Sequence, residues 1–328
     1  MRRFRPDGAI LCFHSITTPD QASAGDAHVS AQAFSAFVGA AACLGEILPL
    51  RDLVHRQLRG HSARGLIAVT FDDAYAAIRT NLKDLISRRA IPVSIFVVAN
   101  GAAAGARYWW DRIEDLFPRV GAERWRAFEV ACGLPEDYQR GQPREYGPLR
   151  PFRQWLLATH AGRWPRHLES ALASLEEEVG YTTAHRSMTF GELAELAAMP
   201  EVELGVHTVS HPVLPLLPDS DLRHEIVAGY DALRERFARV LPILAVPFGL
   251  YDERTLRIAA SAGMTASLTL TGRRVIHADG ACALPRWCIT KSETRARLAL
   301  RLLGVSDVIR SWSRRTIAAY PELPSPTT

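Results

Sequence analysis

Four short, largely apolar runs in this chain each end on a residue with chemical or conformational leverage, and that coincidence narrows the folds open to it. Residues 9–13 lead into His14, 66–71 into Asp72, 202–206 into His207 and 243–246 into Pro247. Runs of this length and character read as buried strands. Two more, 92–98 and 265–270, lack such an ending, and helical periods lie between the runs at 76–89, 221–240 and 253–262. Strands alternating with helices predict an α/β protein with a mainly parallel sheet. In parallel α/β barrels the chemistry collects at the C-terminal ends of the strands, where these four residues would fall.

At 328 residues the chain can bury a sizeable core as one large domain or two smaller ones. Its best candidate for a membrane span, residues 31–45, is diluted by Gln32, Ser35, Gly39 and Gly45, and reads instead as an Ala-rich helix capped by Ser30. The basic opening of Arg2, Arg3 and Arg5 is interrupted by Pro6-Asp7-Gly8 before a signal-peptide core develops, so the expected location is the cytoplasm. Five cysteines with no CxxC pair fit reduced thiols there.

The net charge of +4 is weakly basic, and nucleic acid is not an expected partner. The excess sits late, among Lys291, Arg295, Arg297, Arg301, Arg310, Arg314 and Arg315. Such a tail can make peripheral contact with an anionic membrane, although a solvated helix face is the more ordinary reading. From about residue 102 to 186 the alternation gives way to a Trp-, Arg- and Glu-rich segment. It reads as a mostly helical insertion whose tryptophans are chiefly packing anchors. The expected organisation is therefore a barrel over 1–295 carrying that insertion, followed by a basic helical tail over 296–328.

His207 and His211 stand at i and i+4, close enough to chelate one ion from a single turn, and Pro212 suits a loop or a first helical turn. A catalytic divalent metal takes three protein ligands and keeps a position open, so Asp73 would be the third. Its neighbour Asp72 would stay uncoordinated and accept a proton from water. Adjacent carboxylates repel unless a cation or a proton intervenes, and a metal resolves that conflict. The plainer reading of Asp72-Asp73 is a helix N-cap for residues 76 onward. The remaining histidines, His28 and His185 among them, show no comparable grouping and read as surface or core residues.

The strings Thr70-Phe71-Asp72-Asp73 and His207-Thr208-Val209-Ser210-His211-Pro212 resemble the first two motifs of the polysaccharide deacetylases (NodB homology, carbohydrate esterase family 4). Leu11-Cys12-Phe13-His14 resembles the opening strand of the branch that includes the poly-N-acetylglucosamine deacetylases. Residues 91–97, 108–112, 246–249 and Leu284-Pro285-Arg286 are similar to further segments seen there. The resemblance covers roughly residues 9–289 and is weak within the insertion.

It implies a distorted (β/α) barrel and a divalent ion, zinc with cobalt or nickel as alternatives, on Asp73, His207 and His211. Asp72 would be the general base of an amidohydrolase that removes N-acetyl or N-formyl groups from an amino sugar in a glycan. Tyr75, Pro247 and Phe248 would face the substrate, with a backbone N–H near Phe248 on the acyl oxygen. The chain departs from the pattern at Ala245, where family members commonly carry an arginine that orients the base. It also lacks the late motif that supplies the acid. Arg286 is the candidate to orient Asp72, and His14, preferred to His277, is the candidate acid. A catalytically silent glycan-binding barrel and a non-haem Fe(II) oxygenase are the rival readings.

Overall fold

The computed structural model describes residues 7–18, 25–135, 149–182, 185–276 and 282–305. Eleven strands are described: β1 Ala9–Phe13, β2 Ser15–Thr17, β3 His28–Ser30, β4 Glu46–Ile47, β5 Leu66–Phe71, β6 Val93–Val97, β7 Val202–Val206, β8 Val240–Ala245, β9 Ala266–Thr269, β10 Leu284–Pro285 and β11 Trp287–Cys288. The main sheet runs β10-β9-β8-β7-β6-β5-β1-β11, with β4 paired to β5, and every pairing in it is parallel. Its two ends are parts of one short segment. Leu284–Pro285 pairs with β9, Trp287–Cys288 pairs with β1, and Arg286 lies between them. The segment acts as a split eighth strand that brings the opposite edges together, giving a nearly closed parallel barrel.

The helices wrap this sheet: α1 Ala31–Leu44, α2 Leu50–Leu58, α3 Ala76–Arg89, α4 Ala99–Ala104, α5 Trp109–Val120, α6 Ala122–Ala131, α7 Arg150–His160, α8 Arg166–Val179, α9 Phe190–Ala197, α10 Asp219–Arg234, α11 Glu253–Ser261 and α12 Arg295–Leu302. The α1 helix starts where the sequence places it, with the Ser30 hydroxyl accepting from the Ala33 N–H. The helical period read over 221–240 instead spans Asp219–Arg234, and Val240 already belongs to β8. The Arg295–Leu302 helix packs on α1 through buried Leu298 and Leu302, while the tail from residue 306 lies outside the described residues. Among the described residues no helix is long and apolar enough to cross a membrane.

Period-two alternation sorts the strand residues into two packing layers. Leu11, Val69, Ile95, Leu204 and Leu244 face the helices in one cluster, while Ile10, Ala68, Phe96, Ala245 and Leu268 fill the barrel in another. The insertion has a third cluster of its own around Trp109, Ile113, Trp125, Phe152 and Trp155. Trp109, Trp125 and Trp155 are buried there as packing anchors. The insertion closes at its base through an isolated antiparallel bridge between Arg107 and Arg186.

The barrel interior is tight at Gly205, where an added Cβ would lie 2.4 Å from Cε1 of Phe96. That ring is fully buried, and the Arg286 guanidinium stands 5.7 Å from its centre. Gly205→Ala is expected to lower the unfolding free energy by about 1–3 kcal/mol, the usual cost of overpacking a core. Denaturant unfolding measures this directly, and unchanged stability would mean that the interior has room the packing does not show.

Candidate functional site

The alternation that builds the core also aims the site. Residues 10 and 12 of β1, 68 and 70 of β5, and 203 and 205 of β7 point inward, so the next members of each series are His14, Asp72 and His207. All three stand at the C-terminal ends of their strands, at one mouth of the barrel. Continued alternation would turn Asp73 away from them. The backbone prevents this by entering the left-handed region at Asp73 (φ 65°) and Ala74 (φ 51°). Thr208 (φ 67°), His211 (φ 59°) and Phe248 (φ 56°) do the same in the other two loops. Left-handed conformations cost non-glycine residues free energy and persist where surrounding structure enforces them, commonly at functional sites.

Asp72 is buried against Arg286, whose Nη1 and Nη2 donate to its two carboxylate oxygens at 2.7 Å each. Burial alone would raise the Asp72 pKa, but the Arg286 charge holds it well below the usual carboxylate range. Arg286 is itself fully buried. The Cys12 thiol also donates to Asp72, at 3.4 Å. A nitrogen of His14, the Cys12 sulfur and an Asp72 oxygen lie within 4.8 Å of one another. Burial pushes the His14 pKa down to about 4. Its Nδ1 has no hydrogen-bond partner among the described residues.

Asp73, His207 and His211 form a second group around a common centre. The two Nε2 atoms are 3.1 Å apart, and each lies 3.5 Å from Asp73 Oδ1. His207 Nδ1–H donates to the Ala245 carbonyl at 2.8 Å. A carbonyl can only accept, so that bond fixes the proton on Nδ1 and leaves the Nε2 lone pair facing Asp73. Burial lowers the pKa of both imidazoles, which favours the neutral form that ligates metals. Burial and the neighbouring Asp72 and Asp111 charges push Asp73 well above the ordinary carboxylate range. Its Oδ1 has no hydrogen-bond partner among the described residues. An orphaned buried carboxylate oxygen beside two converging imidazole lone pairs suits a divalent cation, and the group is a candidate metal site.

The N-cap reading of the Asp72-Asp73 pair does not hold. Tyr75 occupies the N-cap of α3 and no side chain caps it. The Ala76 N–H is instead taken by the Arg186 carbonyl at 2.8 Å. Tyr75 is buried, and its hydroxyl donates to Asp111 at 2.6 Å. Pro247 is buried, and the Phe248 ring lies edge-on to His211 at 4.5 Å.

The sequence reading gave no role to several groups that the fold brings to the site. Trp110 stands 4.7 Å from the His211 ring, and the Tyr108 hydroxyl holds the Asp73 carbonyl at 2.8 Å. The His28 and His185 rings lie 4.3 Å apart at a tilt of 39°, and His28 Nε2 approaches Asp111 to 3.0 Å. For Tyr108, Trp110 and Asp111 the sequence signal was the string Tyr108-Trp109-Trp110-Asp111-Arg112, which sets three polar-tipped aromatics beside a carboxylate; His28 and His185 had none.

Burial also pushes the His185 pKa down to about 4, from an ordinary value of 6.5. A histidine whose folded pKa is depressed contributes stability above its unfolded pKa and loses it as pH falls toward the folded one. Between pH 6.5 and about 4 the chelator-treated protein should therefore lose stability, with His14 and His185 both contributing. His185→Gln should show a shallower loss over that window in denaturant titrations at stepped pH. An unchanged slope would contradict the assignment.

The family model for polysaccharide deacetylases matches residues 163–267, a span that contains His207 and His211 but not the aspartate pair. An uncharacterized protein of Streptomyces coelicolor is 37% identical over 97 residues, covering 30% of this chain and 38% of that protein. Three solved structures share the fold over most of their length. The deacetylase PplD of Streptococcus pyogenes, in complex with acetate, has 16% identity and a TM-score of 0.57, covering 90% of this chain and 99% of that one. IcaB from Ammonifex degensii also has 16% identity and a TM-score of 0.57, with coverages of 91% and 97%. A de-N-acetylase from Aggregatibacter actinomycetemcomitans has 12% identity and a TM-score of 0.55, with coverages of 89% and 98%.

Proposed function

We propose, from the premise that this chain belongs to the polysaccharide deacetylase family, that it is a metal-dependent amidohydrolase. Its reaction is removal of N-acetyl or N-formyl groups from an amino sugar in an oligosaccharide, a polysaccharide or a lipid-linked glycan. The observation that carries the reading is the division of labour between adjacent aspartates. Asp72 is neutralised by Arg286, and Asp73 converges with His207 and His211. An oxygenase site would have no use for the second carboxylate. Arg286 supplies the partner that Ala245 cannot, which favours a working hydrolase over a silent glycan-binding barrel.

The triangle of ligand atoms, with edges of 3.1 and 3.5 Å, accommodates an ion at about the 2.0–2.1 Å typical of zinc with nitrogen or oxygen. When bound there, such a cation supplies Lewis acidity to a water and to the acyl oxygen. Asp72, ionised at neutral pH, accepts the proton of the attacking water. Arg286 makes it too acidic to keep that proton. His14, whose nitrogen lies within 4.8 Å of an Asp72 oxygen, is assigned to take the proton and pass it to the departing amine, which cannot leave as an anion. The Phe248 backbone N–H is assigned to the acyl oxygen. The Trp110 and Phe248 rings, 6.0 Å apart and both beside His211, offer an apolar wall to the acyl methyl or the sugar face.

The purified protein should release acetate from N-acetylglucosamine oligomers when given Zn²⁺, Co²⁺ or Ni²⁺. Asp72→Asn should lower kcat by roughly 10²–10⁴-fold, the usual worth of a general base, and His207→Ala should abolish turnover. Absence of acetate with all three metals across a panel of acylated sugars would overturn the reading, as would full activity in His207→Ala.

A further inference from the structure

The loop carrying both histidines is held on its two sides by different elements. On one side its carbonyls are taken by the start of α4. Thr208 O accepts from the Ala99 N–H at 3.1 Å and Val209 O from the Asn100 N–H at 2.9 Å. On the other side its amides converge on one carboxylate of α10. Glu225 Oε2 accepts from the Val209 N–H at 3.0 Å and from the Ser210 N–H at 2.8 Å, while Oε1 accepts from the Ser210 hydroxyl at 2.6 Å. Arg163, reaching over from the insertion, donates to the same Oε1 at 2.8 Å. Glu225 is 3% exposed, so these bonds form away from water.

Successive backbone N–H groups beside a left-handed residue make a concavity suited to an anion, and here the chain supplies its own. Thr208, at φ 67°, opens that concavity. One turn further along the same helix face, Gly229 lets the backbone of α10 meet the loop. A Cβ there would lie 2.9 Å from the Thr208 carbonyl carbon and 3.2 Å from the Val209 nitrogen. A carboxylate and a glycine four residues apart on one helix thus bind the segment whose ends are His207 and His211. The Thr208 hydroxyl finishes the loop by accepting from the His211 N–H at 2.9 Å.

We propose that Glu225 is a positioning residue for metal binding: its carboxylate, seated by Gly229, fixes the residues between His207 and His211 so that the two Nε2 atoms converge on Asp73. This rests on the metal-site reading above. The same carboxylate links the site to the insertion through Arg163. Neighbouring residues of that turn make further contacts. Ala161 O accepts from the Val213 N–H at 2.7 Å, and Gly162 O accepts from the Trp109 indole at 2.8 Å.

The test is a Co²⁺ titration followed by visible absorption, with Zn²⁺ competition, on the full chain and on Glu225→Gln, Glu225→Asp and Gly229→Ala. Loss of an outer partner of this kind typically weakens metal affinity 10–100-fold, and that loss is expected for Glu225→Gln together with a changed Co²⁺ spectrum. Glu225→Asp keeps the charge but draws it back by one methylene, so an intermediate loss is expected. Gly229→Ala displaces the loop without touching any charge and should also weaken Co²⁺ binding. Wild-type affinity and spectrum in Glu225→Gln, even with a lowered melting temperature of the metal-free protein, would reduce Glu225 to a structural role and overturn the proposal. Should Glu225→Gln fail to fold, Glu225→Asp and Gly229→Ala decide it by the same readout. If the wild type binds neither Co²⁺ nor Zn²⁺, the metal reading itself fails, a result distinct from the others, and this proposal falls with it.

Discussion

Two opposite charges, Asp72 and Arg286, meet buried inside this barrel, and the rest of the site is arranged around that meeting. The pair does more than neutralise a carboxylate. Arg286 sits in the short segment that joins the two edges of the sheet, so the residue that closes the barrel also reaches back to the end of β5. Buried ion pairs are not efficient stabilisers, because desolvation cancels much of their attraction. Removing one partner, by contrast, typically costs about 3–5 kcal/mol by stranding the other. The pair's presence is therefore better explained by the ionised state it secures for Asp72 than by stability.

The second constraint is geometric. A strand offers only alternate residues to a barrel interior, which is why adjacent aspartates cannot both reach the mouth from a regular β5. The left-handed turn at Asp73 and Ala74 breaks the alternation and lets one carboxylate meet Arg286 while the other meets two imidazoles. The same device recurs at Thr208 and His211. The repulsion between the aspartates is thus settled by giving each its own positive neighbourhood, an arginine for one and a cation site for the other.

The strands were legible in the sequence because apolar runs bounded by polar residues have few other interpretations. Leu66–Phe71 and Ala9–Phe13 begin and end where the pattern places them. The helix read over 221–240 ran too far: α10 ends at Arg234, and residues 235–239 turn the chain into β8 with neither glycine nor proline to mark the change. His207, His211 and the aspartate pair could be picked out because metal ligands have recognisable spacing. His28 and His185 could not, because their partners come from β3, α5 and the end of the insertion, and local sequence carries no trace of such meetings. Glu225 carries no local sequence signal for its place beside the metal-site loop. Its real company is the backbone of a loop fifteen residues earlier, and backbone amides have no signature in a sequence.

The central claim is that the two aspartates have separate fates, and crystals soaked in Zn²⁺ or Co²⁺ test it most directly by anomalous diffraction. The account predicts a single strong anomalous peak bonded to Asp73, His207 and His211, with the carboxylate of Asp72 still held by both Arg286 nitrogens and outside the coordination shell. An ion bonded to Asp72, or one that drew Asp72 away from Arg286, would contradict it.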